Sequence, residues 1–298
     1  MTNFIELLNF TNQTNNTLKL IECPRDAMQG LAQFVPTDIK INYLNSLLKV
    51  GFDTLDFGSF VSPKAIPQMR DTAELVDKLD LSTTKTKLLA IVANLRGAEE
   101  ALRFEKISYL GFPLSVSETF QVKNTNKTIQ QAFGEVAEIQ NLCLKQGKQL
   151  VVYLSMGFGN PYEEAYSPEI VEQFTEKLVA MNIHIIAPSD TIGSSSTDDI
   201  KTLFGHVIKQ FPKVEFGAHL HAKHGHVAKK TKAAYKSGVH RIDCAVRGFG
   251  GCPMADNRLV GNMATELLVS ELNQMGVSHG IDEVQLAQAM LASQYVFG

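Results

Sequence analysis

Two imidazoles one residue apart, His219-Leu220-His221, carry the strongest chemical signal in this chain of 298 residues. They close a short β-rich run, and side chains alternate across a strand, so both rings share one face while Leu220 points the other way. Neutral imidazoles are ready ligands for divalent cations. A lone strand-end histidine is more often a hydrogen-bonded core residue, but a same-face pair favours metal binding. His224 and His226, close by, read as solvated loop positions.

A second group lies far away in sequence, at Cys23-Pro24-Arg25-Asp26. Aspartate at such a junction is often only an N-cap or turn former, and Arg25 a surface ion-pair partner. Read functionally, Asp26 adds a hard anionic oxygen to the two histidines, and Arg25 a fixed cationic fork for a developing oxyanion. Two histidines and one carboxylate leave coordination positions open for substrate. Arg247-Gly248-Phe249-Gly250-Gly251-Cys252-Pro253 reads as a loop able to fold over a ligand, and a thiol at Cys252 could move a proton there. Cys244 reads as packing. Asn262 and Glu266, four apart, fit one helical face as an amide ligand and its supporting carboxylate, or as a cap and a solvated acid.

Short β-rich runs at 18–22, 54–57, 88–92, 107–112, 150–154, 184–187, 214–219 and 241–245 alternate with helical patterns such as 129–145 and 170–181. Eight strand–helix units predict a parallel sheet closed into an α/β (β/α)₈ TIM barrel, and no GxGxxG follows the first strand to favour an open sheet. The pattern turns purely helical at 265–274 and 281–295. The expected organisation is therefore a catalytic barrel over 15–264 and a C-terminal helical extension over 265–298, packed on the barrel. In such a barrel the strand ends carry the chemistry. Asp56 and Ser59, Asn94, Ser117 and Glu118, Ser155 and Asn160, and Ser189, Asp190 and Thr191 are expected at that mouth, lining it for an oxygen-rich anionic substrate.

Composition agrees with an enzyme of this kind. An apolar fraction of 44 % supports a substantial core, and a formal net charge of −3 argues against a nucleic-acid or membrane-surface partner. No apolar run approaches the roughly 18 residues of a membrane span, and the N-terminus carries no basic, apolar leader pattern. Four scattered cysteines without a CxxC are expected to be reduced thiols in a cytoplasmic protein.

Pro24-Arg25-Asp26-Ala27-Met28-Gln29-Gly30 resembles the strand-one signature of the 3-hydroxy-3-methylglutaryl-CoA lyase family, within the metal-dependent lyase and acyl-condensing barrels. Ser59-Phe60-Val61-Ser62-Pro63-Lys64, Gly159-Asn160-Pro161-Tyr162-Glu163, Asp190-Thr191-Ile192-Gly193 and His219-Leu220-His221 are similar to that family in the same register. So are Gly248-Phe249-Gly250-Gly251-Cys252-Pro253 and Gly261-Asn262-Met263-Ala264-Thr265-Glu266. The resemblance runs from about residue 18 to the C-terminus. It implies Asp26, His219, His221 and Asn262 as ligands to Mg²⁺ or Mn²⁺, with Arg25, Asp56 and Cys252 catalytic. It further implies an acyl-CoA substrate met by Gln29, Ser59, Asn94 and Asp190. The implied reaction is retro-aldol (Claisen-type) cleavage of 3-hydroxy-3-methylglutaryl-CoA to acetoacetate and acetyl-CoA, in leucine breakdown, with a homodimer as the expected assembly.

The chain also departs from that pattern. Asp56 stands where the family has Glu, Ala187 where a Ser is expected, and Ala222-Lys223 where Asp-Thr is usual; the stretch from Cys252 to Asn262 is one residue longer. These positions surround the substrate, so a related lyase or condensing enzyme for another hydroxyacyl-CoA or 2-oxo acid stays open. Two more distant readings are a facial-triad Fe(II) oxygenase and a non-catalytic descendant.

Overall fold

The structure, a computed structural model, describes residues 17–251 and 260–298. Cys252 and the residues 253–259 that follow it lie outside the described residues. Eight strands pair in parallel in sequence order: β1 (Lys19–Glu22), β2 (Thr54–Ser59), β3 (Lys87–Ile91), β4 (Ile107–Ser115), β5 (Gln149–Ser155), β6 (Ile185–Asp190), β7 (Glu215–Leu220) and β8 (Arg241–Cys244). β8 then pairs with β1, Lys19 opposite Arg241 and Glu22 opposite Cys244, and the barrel closes as the alternation predicts.

β2, β4, β5 and β6 run past their expected ends at 57, 112, 154 and 187. Ser59, Ser155, Ser189 and Asp190 are therefore strand residues rather than loop residues, and Asp56 lies within β2. Gly58-Ser59 and Pro188-Ser189-Asp190 carry weak strand propensity, yet ladder partners on the neighbouring strand hold them, as Ser189 opposite His219 and Asp190 opposite Leu220 show.

The outer layer is α1 (Pro24–Gln29), α2 (Thr37–Leu47), α3 (Thr72–Lys78), α4 (Leu95–Ala101), α5 (Glu118–Thr125), α6 (Ile129–Lys145), α7 (Pro168–Ala180), α8 (Thr197–Gln210), α9 (Val227–Lys236), α10 (Thr265–Gln274) and α11 (Glu283–Phe297). Local chemistry sets their starts. Thr128 with Gln131 and Ser196 with Asp199 form reciprocal capping boxes, and Asn94 caps α4 through Gly97 N–H at 2.9 Å. α10 packs on α9, and α11 lies along α2.

Strand alternation divides the barrel into two environments. Outward residues such as Leu20, Phe57, Phe112, Phe216, Leu220 and Ile242 join one core with the helices. Inward residues of β3 to β6 form a smaller apolar cluster, among them Leu89, Ile91, Tyr109, Val151, Tyr153 and Ala187. The inward residues of β7, β8, β1 and β2 are instead ionic: Glu215 and His219, Arg241 and Asp243, Lys19, and Asp56. Lys19 Nζ donates to Glu215 at 2.6 Å, and the fully buried Arg241 reaches the same carboxylate at 3.5 Å. Gly217 makes room for that guanidinium, since a Cβ there would stand 2.8 Å from Arg241 Cγ.

Glu22 faces the opposite way, under the root of the loop after β8. Its carboxyl accepts from Val246 N–H at 2.7 Å and Thr265 Oγ1 at 2.6 Å, tying β1, the loop and α10 together. Burial raises its pKa to about 8, against the pull of those two donors. A carboxyl whose pKa is raised on folding favours the native state fully below its unfolded value near 4.5, and that contribution is lost as pH rises through about 8. Stability is therefore expected to decline across that window in wild-type protein. Glu22→Gln, which keeps an acceptor but cannot ionise, should flatten the decline. Thermal melts of both proteins at several pH values check it, and parallel curves would contradict it.

Candidate metal centre and its cavity

β1 runs directly into the single-turn α1, with Pro24 at the first helical position, where its missing N–H costs nothing. The tight turn puts Arg25, Asp26 and Gln29 on one side of the mouth. Arg25 Nε donates to both oxygens of Asp56 at 3.2 and 3.1 Å, and Nη2 adds a 2.5 Å contact. Its Nη1 reaches Asp26 Oδ1 at 3.0 Å and Gln29 Oε1 at 2.8 Å. Burial works against the guanidinium charge, but Asp56 and Asp26 outweigh it and keep Arg25 cationic. Burial likewise opposes ionisation of Asp26; Arg25 and the two histidines overturn that and hold its pKa down at about 2.

His219 and His221 project from the end of β7 on one face, ring centroids 5.2 Å apart, while Leu220 packs into the outer core. His219 Nδ1 lies 3.0 Å from Asp243 Oδ2, and His221 Nδ1 lies 3.1 Å from the Thr191 carbonyl. A proton on Nδ1 satisfies each acceptor and leaves Nε2 as the free lone pair. Burial and the neighbouring His219 push the His221 pKa down to about 4, so its ring is neutral at neutral pH. Burial also opposes charge on His219, but the hydrogen bond and charge of Asp243 carry its pKa upward.

Ligand atoms of Asp26, His219 and His221 all lie within 4.8 Å of one another. His221 Nε2 is buried with no hydrogen-bond partner among the described residues. An orphaned lone pair facing a low-pKa carboxylate suits a cation, and an oxygen and nitrogen donor set without thiolate suits Mg²⁺ or Mn²⁺. Asn262 is beside them, bridged to His221 through the backbone, and its Nδ2 donates to Asp26 Oδ2 at 2.8 Å and to the Phe249 carbonyl at 2.9 Å. The helical face expected for Asn262 and Glu266 does not form. α10 begins only at Thr265, Asn262 is extended, and Glu266 instead accepts from Arg247 N–H at 3.0 Å.

A cavity of about 630 Å³ opens above these groups, bounded by Arg25, Asp26, Gln29, Asn94, His219 and His221 among others. Two expected substrate contacts are turned elsewhere. Ser59 Oγ donates to the Ile91 carbonyl at 3.2 Å and takes no part in the lining, because β2 continues to this residue. Asp190 is held by Lys230 Nζ at 2.6 Å and Ser195 Oγ at 2.6 Å on the helix side of β6, away from the cavity. Asp56 also lies outside the lining, behind Arg25. The far wall comes from the end of α5, where Lys123, Asn124, Thr125, Asn126 and Lys127 line the cavity. Sequence patterning gave no hint of it, since α5 is an extra helix set between β4 and α6.

A family model described as HMGL-like matches residues 18–292. The chain belongs to the HMGL-like family. It is 32 % identical over 273 residues to rat cytoplasmic 3-hydroxy-3-methylglutaryl-CoA lyase, covering 91 % of this chain and 79 % of that protein. It is also 32 % identical to mouse mitochondrial hydroxymethylglutaryl-CoA lyase, covering 91 % and 83 %. Among solved structures, an HMG-CoA lyase from Acinetobacter baumannii in complex with coenzyme A and 3-methylmalate superposes with TM-score 0.87 at 31 % identity, over 95 % of this chain and 92 % of that one. The Pseudomonas aeruginosa hydroxymethylglutaryl-CoA lyase gives 0.88 at 27 %, over 95 % and 94 %.

Two buried groups of this HMGL-like chain, Asp243 and Lys230, support the histidines without touching the cavity, and strand and helix patterns did not single them out. Asp243 orients His219. Lys230 is almost wholly buried, and its Nζ donates to the His221 carbonyl at 2.8 Å as well as to Asp190. His221→Ala should therefore abolish divalent-cation binding, a larger loss than the roughly 10–100-fold typical of removing an outer partner. His224→Ala should leave binding within about twofold, since that ring is exposed and its one hydrogen bond among the described residues is to the Arg247 carbonyl at 3.3 Å. Equilibrium dialysis of both variants distinguishes a centre at His221 from one elsewhere; equal losses would refute the assignment.

Proposed function

We propose that this chain is a carbon–carbon lyase that cleaves 3-hydroxy-3-methylglutaryl-CoA to acetoacetate and acetyl-CoA, with Asp26, His219, His221 and Asn262 as the metal ligands. The observation that carries this is the convergence of Asp26, His219 and His221 ligand atoms beside the cationic Arg25 on one cavity wall, in a chain of the HMGL-like family. Relatives at 32 % identity bear the name of that lyase, and the A. baumannii structure holds coenzyme A with a branched hydroxy acid.

A divalent cation bound there, Mg²⁺ or Mn²⁺, supplies Lewis acidity and lowers the pKa of the substrate's tertiary hydroxyl. The rest falls to the protein. Arg25, locked in a two-point contact with Asp56, offers its remaining Nη2 N–H and its fixed positive charge to the thioester oxygen as cleavage turns it into an enolate oxygen. The hydroxyl gives its proton to solvent, the C–C bond breaks to release acetoacetate, the enolate carbon takes a proton to become acetyl-CoA, and the donor is reprotonated from solvent. Cys252 is the proposed donor of that proton, on the strength of its place at the end of the glycine-rich loop whose root packs beside Asn262. Gln29 and Asn94, on the cavity wall, are proposed substrate contacts; Ser59 and Asp190 are kept only as positioning groups.

A related hydroxyacyl-CoA is the second reading of the acyl group, resting on the departures from the family pattern. Ala187 itself stands beside Tyr153 in the apolar half of the barrel and does not line the cavity. A cytoplasmic location is part of the same proposal, consistent with free, buried thiols at Cys23, Cys143 and Cys244.

Turnover of 3-hydroxy-3-methylglutaryl-CoA should vanish in excess EDTA and return with Mg²⁺ or Mn²⁺; full activity in chelator would refute the reading. A panel of hydroxyacyl-CoA substrates ranks the two acyl assignments by kcat/KM. Cys252→Ser should keep substrate and metal binding but lose most of kcat, because a serine hydroxyl is a far weaker acid than a thiol of pKa about 8.5. Cys244→Ser is the matched control and should leave the rate per folded molecule nearly unchanged.

A further inference from the structure

His219 has two ring nitrogens, and a second set of donors faces the one that the candidate metal centre does not use. Cys23, at the junction of β1 and α1, Asp243 on β8 and His219 on β7 come from three neighbouring strands, and one ligand atom of each lies within 4.8 Å of the others. Cys23 and Asp243 are both about 1 % exposed. Among the described residues, the Cys23 thiol has only a long contact, 3.7 Å to the Ile21 carbonyl. Asp243 Oδ2 takes the His219 Nδ1 contact, but its buried Oδ1 has no hydrogen-bond partner among the described residues. An unpartnered buried carboxylate oxygen next to an idle thiol and an imidazole is a sulfur, nitrogen and oxygen donor set, which selects for thiophilic cations and offers little to Mg²⁺.

We propose that Cys23, His219 and Asp243 form a second cation site, for a thiophilic divalent ion such as Cd²⁺ or Zn²⁺, and that filling it turns the lyase off. Binding displaces the thiol proton of Cys23 to solvent and the Nδ1 proton of His219 from Asp243, so that Nδ1 becomes a ligand. His219 then loses the carboxylate that sets its tautomer and aims its Nε2 at the first centre. One imidazole serves both sites well only as a doubly deprotonated bridge, so the two cations compete. The loss of turnover rests on the lyase reading; the binding itself does not.

The test is titration of the Mg²⁺-loaded protein with Cd²⁺, reading bound Cd²⁺ by equilibrium dialysis, thiolate-to-metal absorption and turnover. Wild type should bind one Cd²⁺ with a thiolate band and lose turnover, with excess Mg²⁺ raising the Cd²⁺ concentration needed and a dithiol chelator restoring activity. Cys23→Ala should keep Mg²⁺-supported turnover, lack that band, and need at least ~10-fold more Cd²⁺ for inhibition. Cys23→Ser, nearly isosteric, should behave the same way and guards against a packing defect. Asp243→Asn should keep the band but bind Cd²⁺ more weakly. A Cys23 variant inhibited at the wild-type concentration with the same band would place the Cd²⁺ on another thiol and overturn the proposal. Cd²⁺ bound without any thiolate band would place it on Asp26, His219 and His221 instead, with the same consequence. Wild type that binds Cd²⁺ as expected yet never cleaves the acyl-CoA would sink the lyase reading and leave the site standing.

Discussion

A buried guanidinium cannot stand unpaired, and the mouth of this barrel is organised around satisfying the one on Arg25. Removing one partner of such a pair typically costs about 3–5 kcal/mol, because the charge left behind stays buried. Asp56 supplies the main counter-charge from inside β2, and Asp26 and Gln29, on α1 itself, accept from Nη1. That pairing fixes how the single turn of α1 sits on β1. The position of Asp26 follows, and with it the position at which a carboxylate meets two imidazoles from the opposite side of the sheet's seam. Asp56, where the resemblance leads one to expect the longer Glu, reaches Arg25 and closes the pair.

The same reasoning explains why the barrel interior is split. Charged and imidazole side chains cluster where β7, β8, β1 and β2 adjoin, and they pair with one another along the axis: Lys19 with Glu215, Glu215 with Arg241, Asp243 with His219. Apolar side chains fill the arc from β3 to β6. Concentrating the ions lets each desolvated charge have a partner, and the low-dielectric arc opposite strengthens every electrostatic contact at the mouth. A substrate in the cavity therefore meets an ionic wall on one side and an apolar wall on the other, with the α5 terminus supplying further amide and lysine groups.

Much of this was legible in the residue order. Alternation of β-rich and helical runs gave the barrel, and the His-x-His spacing gave two rings on one face with Leu220 behind them. α6 spans the 129–145 expected from its periodicity, its start set by the Thr128–Gln131 capping box. Other features escaped because they are set by partners distant in sequence. Weak strand formers at Gly58-Ser59 and Pro188-Ser189-Asp190 are held by neighbouring strands, which moved Ser59 and Asp190 out of the presumed mouth. Asn262 looked helical by its spacing to Glu266, but its backbone bridge to His221 keeps it extended. Asp243 and Lys230 announce nothing in sequence; their roles are visible only once β8 and α9 are set beside the histidines.

Closure of the barrel joins strands separated by nearly the whole chain, as the 222-residue gap between Glu22 and Cys244 records. Contacts of such long range are entropically the most expensive to make and form late in folding. The candidate cation centre straddles that seam, with Asp26 from the first strand–helix unit and both histidines from the seventh. A half-assembled barrel of either end thus has fragments of the centre and no working copy of it. Ligand capture then acts as a latch on the final seam, lowering the free energy of the closed chain alone and leaving every partly folded species untouched.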